Sequence, residues 1–225
     1  MTAQQPRVTL VEDHPLVRYA LGAALTAAGV QVTEAAVDMT GRELVAQLLE
    51  ARPTTAVVDL GLPIDDGGLG LIPPLVAHRL PVLVLTGEAD RGLWADCVHA
   101  GAEAVLSKTE DLDQVVAAIV DVCEGRPVRA AEQAALGAEG RRRALERRRR
   151  LAPFHDLSRR EQAVLASLMA GVGPAQIAER DIVSIQTVRT QIKILLRKLG
   201  VRSQLEAAAK ANEAGWHPEP TRPGA

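Results

Sequence analysis

Short apolar runs alternate with longer amphipathic stretches through the first half of the chain. Several runs are continuous rather than alternating, which is typical of strands buried on both faces of a parallel sheet. The five runs lie at 8–11, 30–32, 56–58, 81–85 and 104–106, with helical periodicity between them at about 15–28, 39–50, 67–78, 90–100 and 110–123. This order predicts an α/β doubly wound domain over residues 1–125, with a five-stranded parallel sheet and right-handed crossovers.

The strand pattern stops after residue 125. Residues 126–154 are rich in alanine and arginine, and their few apolar residues are too sparse to form one face of a helix. We therefore expect a partly helical, solvated linker there. Residues 155–216 show four short helical patterns and no strand, which predicts a separate all-α four-helix domain. The Pro- and Gly-rich residues 217–225 are expected to form a flexible tail.

Several features indicate the compartment in which the protein acts. No run approaches the roughly 20 consecutive apolar residues that a membrane-spanning helix needs. The first residues lack the charged segment and the following apolar segment of a secretion signal. Cys97 and Cys123 lie far apart without the spacing of a metal-binding pair, which favours two reduced thiols. We therefore expect a cytoplasmic protein that is not associated with a membrane.

The charges of the chain are divided unequally between its two halves. Residues 1–125 carry 18 acidic and 7 basic side chains, a net charge of −11. Residues 126–225 carry 10 acidic and 19 basic side chains, a net charge of +9. An acidic half joined to a basic half suggests a metal- or phosphate-handling domain tied to a domain that binds a polyanion.

Chemically reactive side chains follow four of the predicted strands. Glu12 and Asp13 come after the first run, Asp59 after the third, Thr86 after the fourth and Lys108 after the fifth. Ligands of such sheets bind at the carboxyl ends of the strands, so these five side chains are expected to converge. Each alone would more often be a solvated loop residue, but the coincidence of five favours a site. Clustered carboxylates suit Mg²⁺, and a carboxylate can attack a phosphoryl group to form an acyl phosphate.

The motifs around these residues resemble the receiver domain of two-component response regulators, over roughly residues 7–124. They are LVEDH at 10–14, VVDLGLP at 57–63, VLT at 84–86, and Gly101-Ala102 followed by Lys108. The resemblance implies a flavodoxin-like fold, Asp59 as the phosphoacceptor and a histidine kinase as partner. It also implies that Glu12, Asp13, the Asp59 side chain and the Gly61 carbonyl bind Mg²⁺. Thr86 and Lys108 would then contact the phosphoryl group. His14 is given no role.

In the basic half, the third helical pattern has two distinct faces. Ser158 and Glu161 form a capping box before the first helix, and Ser184 is an N-cap candidate for the third. The apolar face of the third helix carries Val188, Ile192, Leu195 and Leu199, and the opposite face carries Gln186, Arg189, Thr190, Lys193 and Arg197. Taken alone, this polar face does not distinguish DNA binding from an ordinary solvated surface.

The order of motifs over residues 155–214 is similar to the helix-turn-helix output domain of the NarL/LuxR (FixJ) type. The motifs are LSRRE at 157–161, Gly171, Ile177-Ala178, SIQTV at 184–188 and KLGV at 198–201. The resemblance implies that the third helix enters the major groove of double-stranded DNA, and that two copies bind as a homodimer through the fourth helix. The implied DNA contacts are Ser184, Thr187, Arg189, Thr190, Lys193 and Lys198. Asp181 replaces a usual leucine, so either Ile182 takes its place or the turn is looser.

Together these patterns predict a transcriptional response regulator controlled by phosphorylation of Asp59, and not an enzyme. One alternative is a regulator of the same architecture whose receiver works without phosphorylation, through dimerisation or ligand sensing. Val105 supports it, because that position usually holds an aromatic switch residue. A small-molecule phosphotransfer enzyme and a non-DNA adaptor remain weaker alternatives. The arginine-rich linker is interpreted as a spacer with incidental DNA attraction; flanking phosphate contacts, or docking on the acidic receiver, stay open.

Overall fold

The computed structural model of this protein describes residues 5–218, so most of the predicted tail at 217–225 lies outside the described residues. The chain divides into two compact units between Arg143 and Ala144. Within the described part of the chain, no helix has both the length and the apolar character needed to cross a membrane.

The first unit is built on a parallel sheet of five strands in the order β2-β1-β3-β4-β5. The strands are β1 (Arg7–Val11), β2 (Gln31–Glu34), β3 (Thr55–Val58), β4 (Val82–Thr86) and β5 (Ala104–Ser107). This confirms the predicted doubly wound, flavodoxin-like fold. The chain reverses its direction of winding between β1 and β3, and ligands of such sheets bind at this switch point, beyond the carboxyl ends of the strands.

Five α-helices cover the two faces of the sheet. They are α1 (Pro15–Ala27), α2 (Gly41–Ala51), α3 (Ile72–Ala77), α4 (Arg91–Ala100) and α5 (Leu112–Cys123). The helix predicted at 67–78 is shorter than expected: a 3₁₀ turn at Gly68–Leu71 precedes α3. Glycine disfavours helix and proline is tolerated only in its first turn, so Gly68, Gly70 and Pro73-Pro74 delay the start of α3.

Aliphatic side chains fill a core on each face of the sheet. Leu44, Leu48 and Ile72 belong to the core beneath α2, α3 and α4. Leu25 and Ile119 belong to the core beneath α1 and α5. Strands whose two faces are both covered must be apolar throughout, which explains the continuous apolar runs in the sequence.

Helix α6 (Ala130–His155) occupies most of the segment predicted to be a linker. Its first half belongs to the first unit, where Gln133, Leu136, Gly137 and Gly140 are buried. These residues recur at spacings of three and four, so they share one face of the helix. The interpretation as a solvated spacer does not describe this half. It failed because three of the four buried residues are glycine or glutamine, which contribute nothing to an apolar pattern.

The second unit contains the end of α6 and four further helices. These are α7 (Arg159–Met169), α8 (Pro174–Arg180), α9 (Ile185–Leu199) and α10 (Gln204–Ala214), as the four helical patterns predicted. Phe154 of α6 is buried in the core of this unit and stacks on Trp216, with 5.6 Å between the ring centroids. The predicted capping box of Ser158 and Glu161 is present at the start of α7.

Candidate functional site

Two buried carboxylates lie side by side at the switch point of the sheet. Glu12 follows β1 and Asp59 follows β3, and these two strands are paired. The exposed fractions of Glu12 and Asp59 are only 4% and 3%. Burying charged groups is unfavourable unless an opposite charge or a cation compensates them. The pair therefore needs such a partner.

Lys108 supplies part of that compensation from the end of β5. Its Nζ lies 2.7 Å from Glu12 Oε2 and 2.9 Å from Asp59 Oδ2. Its backbone N–H donates to the Thr86 carbonyl at 2.8 Å, which fixes the start of the side chain. Burial alone would lower the pKa of Lys108, but its hydrogen bonds to Glu12 and Asp59 outweigh burial and raise the pKa above its ordinary value. Both carboxylates therefore favour the protonated form of this amine.

Asp13 and His14 complete a cluster of possible metal ligands. One ligand atom each from Glu12, Asp13, His14 and Asp59 lie within 4.8 Å of one another. Asp13 Oδ1 is buried and accepts no hydrogen bond within residues 5–218, although His14 Nδ1 approaches it to 2.8 Å. An unsatisfied buried carboxylate oxygen, and three clustered carboxylates of which only two pair with the Lys108 ammonium, fit a hard divalent cation such as Mg²⁺. His14, to which sequence reasoning gave no role, makes these contacts from the N-cap position of α1.

Thr86 and Gly61 lie beside Asp59. Thr86 is fully buried, and its Oγ1 accepts a hydrogen bond from the Glu88 N–H at 3.0 Å. A Cβ at Gly61 would lie 3.4 Å from Asp59 Oδ2, so the absence of a side chain keeps the carboxylate accessible. These residues line a cleft of about 230 Å³ that also includes Lys108. A group the size of a phosphoryl group can reach Asp59 through this cleft.

The glycine-rich loop after Asp59 packs back against the site. A Cβ at Gly68 would collide with the Asp59 main chain, lying only 2.8 Å from its carbonyl carbon. The Gly68 N–H donates to the Leu60 carbonyl at 3.2 Å, and Gly67 has a positive φ of 56°. Gly67 and Gly68 are therefore needed for this close approach, in which the loop packs directly against the backbone of Asp59.

Val105 of β5 occupies the position where the resemblance implies an aromatic switch residue. Its exposed fraction is 1%, and its backbone N–H donates to Oε1 of Gln133 at 3.3 Å. A valine side chain cannot make the large rotamer change of an aromatic ring. Any signal that passes through β5 must therefore use its backbone or its neighbours.

The polar face of α9 in the second unit presents cationic side chains to solvent. Arg189 and Lys193 are exposed and have no ion-pair partner among residues 5–218. Thr190 is exposed as well, and its hydroxyl donates to the Gln186 carbonyl at 2.9 Å. Ser184 caps the helix by accepting from the Thr187 N–H at 3.0 Å. The predicted contact residues other than Lys198 thus lie between the N-cap of α9 and Lys193, and Ser184 and Thr187 set where that helix begins.

Lys198 differs from the other predicted contact residues because it is engaged inside its own unit. Its Nζ lies 2.7 Å from Glu161 Oε2 and 3.0 Å from the Asp156 carbonyl oxygen. Burial would raise the pKa of Glu161, but hydrogen bonds from Lys198 and Ser158 outweigh burial and lower it. Lys198 thereby ties α9 to the start of α7.

The turn between α8 and α9 resolves the two readings of Asp181. Ile182 is 92% exposed, so it does not take the place of the usual buried leucine. Asp181 instead pairs with Arg160 at 3.0 Å and with Arg180 at 2.8 Å, and the hydrogen bond from Arg180 lowers its pKa. Asp181 therefore holds this turn through ion pairs, while the neighbouring Val183 packs against the core of the unit.

Helix α10, the predicted dimerisation helix, has both exposed and buried residues. Leu205 is 80% exposed, whereas Ala208 is buried within its own unit. Of the two, only Leu205 is available to a second copy. Dimerisation stays a prediction.

Two family profiles match separate parts of this chain. The profile described as "Response regulator receiver domain" matches residues 8–120, which contain the acidic site. The profile described as "Bacterial regulatory proteins, luxR family" matches residues 155–211, which contain α9.

Known proteins of similar length match along almost the whole chain. The "DNA-binding transcriptional activator DevR/DosR" of Mycobacterium tuberculosis is 31% identical over 214 residues, which cover 92% of this chain and 94% of the relative. A "Probable transcriptional regulatory protein NarL" of the same species is 31% identical over 218 residues, covering 94% and 97%. The crystal structure of a two-component response regulator of the LuxR family from Aurantimonas sp. shares 26% identity with a TM-score of 0.52, covering 61% of this chain and 99% of that one.

Proposed function

Because this chain belongs to the response regulators that join a receiver domain to a LuxR-family DNA-binding domain, we propose that phosphorylation of Asp59 controls its binding to promoter DNA. Phosphorylation is typical of this family. The observation that carries the proposal is the position of Asp59, a buried carboxylate paired with Lys108 at the bottom of an open cleft.

In the proposed reaction, a carboxylate oxygen of Asp59 forms a bond to the phosphorus of a donor. The donor is a phosphohistidine of a partner kinase or a small phosphorylated molecule, and its bond to phosphorus breaks as the new bond forms. Glu12, Asp13 and Asp59 would hold Mg²⁺, with the Gly61 carbonyl as a further ligand. Mg²⁺ bound there supplies positive charge that offsets the charge of the phosphoryl oxygens.

Lys108 and Thr86 support this reaction from the neighbouring strand ends. The ammonium of Lys108 already lies 2.9 Å from Asp59 Oδ2, so it is within reach of a phosphoryl oxygen attached there. The Thr86 hydroxyl is buried beside the same cleft and would donate to another phosphoryl oxygen. Both groups are held in place before the reaction, which favours stabilisation of the developing charge.

We propose the exposed face of α9 as the DNA interface. Arg189 and Lys193 suit guanine edges and phosphates, and the Thr190 methyl group suits a thymine methyl. Ser184 and Thr187 lie at the first turn of α9, the part of such a helix that lies nearest the base edges. Lys198 would contact a phosphate only by sharing its ammonium with Glu161.

DNA binding is tested with duplexes selected from a random-sequence library by the phosphorylated protein. We expect the logarithm of the affinity to fall linearly and steeply with the logarithm of salt concentration, because phosphate contacts release counterions. The double variant Arg189→Ala with Lys193→Ala should lose most of the affinity. Lys210→Ala serves as the control, since Lys210 Nζ binds the Leu199 carbonyl within the unit. Affinity that does not depend on salt, or a double variant that binds normally, would contradict the interface.

A second candidate function is a receiver that works without phosphorylation. The buried Val105 favours it, because the usual aromatic switch is absent. In that case the Asp59→Asn variant would bind DNA as the wild type does, both with and without a phosphodonor. Phosphorylation control predicts that only the wild type gains affinity when the donor is added.

The remaining parts of the proposal concern partners and location. We expect a histidine kinase as the phosphodonor, a homodimer on DNA and a cytoplasmic location. Exposed Leu205 of α10 is the residue we expect at the dimer contact. Leu205→Glu should weaken cooperative binding to a two-site duplex and leave binding to a single site unchanged.

A further inference from the structure

The first half of α6 lies unusually close to α4. A Cβ at Gly140 would overlap the Ala95 carbonyl oxygen and lie 2.7 Å from His99 Cβ. A Cβ at Gly137 would lie 3.3 Å from Val98 Cγ1. Both glycines sit inside a helix, where glycine is otherwise less favourable than alanine. The close contact between the two helices explains why glycine is present at these positions.

Gln133 of the same helix face binds the edge strand of the sheet. Its Oε1 accepts from the Val105 N–H at 3.3 Å, and its Nε2 lies 3.5 Å from the Val105 carbonyl oxygen. β5 is the last strand of the sheet, so its outer backbone groups have no neighbouring strand. A buried side-chain amide therefore satisfies backbone groups that would otherwise be left unpaired. The contact falls on the residue where an aromatic switch is missing.

Ion pairs hold this half of α6 at both ends. Before the helix starts, Arg129 binds Glu110 through both guanidinium nitrogens, one of them 3.1 Å from Glu110 Oε1. At the other end, Arg143 Nε lies 3.3 Å from Asp96 Oδ1 of α4. Single pairs of this kind contribute little stability, but together they fix the register of α6 on the receiver.

A short path of hydrogen bonds joins α4, on which this half of α6 packs, to the phosphoacceptor site. Glu88 donates its backbone N–H to Thr86 Oγ1 at 3.0 Å, and its carbonyl accepts from Trp94 Nε1 of α4 at 2.8 Å. If the Thr86 hydroxyl turns toward a phosphoryl group on Asp59, the Glu88 N–H loses its acceptor. The loop that anchors α4 then rearranges, and α4 packs against α6 at Ala95, Val98 and His99.

We propose that residues 129–143 occupy the face formed by α4 and β5 in the unphosphorylated protein, and that phosphorylation of Asp59 weakens their docking there. This inference rests on the proposed function. While Asp59 is paired with Lys108, α6 covers the face and prevents a second molecule from binding to it. Linkage between two equilibria is reciprocal. If phosphorylation weakens the docking of α6 by a given factor, a variant that weakens this docking must therefore increase the affinity of the receiver for a phosphoryl mimic, up to the same factor.

Hydrogen–deuterium exchange of the full chain tests the first half of this proposal. The protein is treated with acetyl phosphate and Mg²⁺, and intact mass measures phosphorylation in the same sample. We expect amides of residues 130–143 to exchange about tenfold faster once phosphorylated, a factor typical of coupled sites. Phosphorylated protein with unchanged exchange there overturns the docking proposal alone. Absence of any phosphoryl adduct contradicts the proposed function and, with it, the coupling.

The variant Gly140→Ala tests the second half. Helix propensity alone predicts slower exchange in α6, since alanine favours helix. Docking predicts faster exchange of residues 130–143 and about tenfold tighter binding of beryllium trifluoride, a phosphoryl mimic, with Mg²⁺. Gly22→Ala in α1 is the matched control, because the nearest atoms to its Cβ would be 3.9 Å away.

A second variant provides the same test in case Gly140→Ala does not fold. Arg129→Gln changes a partly exposed residue and should shift exchange and beryllium trifluoride affinity in the same direction by a smaller factor. If both variants fold and neither changes exchange nor affinity, α6 is a passive part of the receiver and the proposal is wrong.

Discussion

At the scale of single residues, the acidic site combines three carboxylates with one ammonium. Asp13 Oδ1 accepts no hydrogen bond within residues 5–218, and a metal ion would satisfy it. Mg²⁺ should therefore stabilise the folded protein, by about 2.7 kcal/mol at a concentration one hundred times Kd. The measurement is the free energy of unfolding across a Mg²⁺ titration.

The Asp13→Asn variant should lose most of this stabilisation, whereas Asp38→Asn, which changes an exposed carboxylate outside the cluster, should retain it. Equal stabilisation of both variants by Mg²⁺ would place the metal elsewhere.

Ile182 has an unusual backbone conformation whose effect on stability can be tested. It has a φ of +53°, a conformation that β-branched side chains rarely adopt, and its side chain is exposed. Asparagine tolerates this conformation far better. Ile182→Asn should therefore raise the free energy of unfolding of the second unit by about 1 kcal/mol. Denaturant unfolding measures it, with Ile185→Asn as a control: Ile185 is also partly exposed but is helical.

No gain from Ile182→Asn, or the same gain from Ile185→Asn, would show that exposure of an apolar residue, and not backbone strain, governs stability at this turn.

At the scale of elements, the start of α9 positions the proposed DNA contacts. Ser184 accepts from the Thr187 N–H, so Ser184→Ala removes a cap and should cost about 1 kcal/mol of stability. Ser184→Gly should cost only a few tenths of a kcal/mol, since glycine is tolerated at the cap. Thermal unfolding of the two variants compares these costs, and equal losses would contradict a capping role.

The strands were the elements best predicted from sequence. Their apolar runs are continuous because both faces of the sheet are covered, and that burial leaves a clear pattern. Residues that follow parallel strands lie at the same edge of the sheet, which correctly predicted that Glu12, Asp59 and Lys108 meet. The contacts of His14 and the link from Glu88 to Trp94 could not be predicted, because they depend on where two helices start relative to the strands.

Helix α6 shows why another part of the fold was not predicted. Its buried face consists of Gln133, Leu136, Gly137 and Gly140, so only one position is strongly apolar. Helices that approach one another closely use small residues at the contact, and such residues resemble those of a flexible linker. The spacing of the two glycines, three residues apart, was the available signal.

At the scale of the whole molecule, the unequal distribution of charge agrees with the two functions that we propose, phosphorylation in one half and DNA binding in the other. In this proposal, the acidic first half holds the site for a cation and a phosphoryl group, and the basic second half presents arginine and lysine to DNA. Because phosphorylation adds negative charge to a site 3% exposed, its effect must reach DNA through a change of conformation and not through surface charge.

Control by phosphorylation requires that Asp59 accepts a phosphoryl group. Intact mass spectrometry after incubation with acetyl phosphate and Mg²⁺ tests it most directly, with Asp59→Asn treated in parallel. We expect one added phosphoryl group on the wild type and none on the variant. No adduct on the wild type, under conditions that label a control receiver, would contradict it, as would an equal adduct on Asp59→Asn.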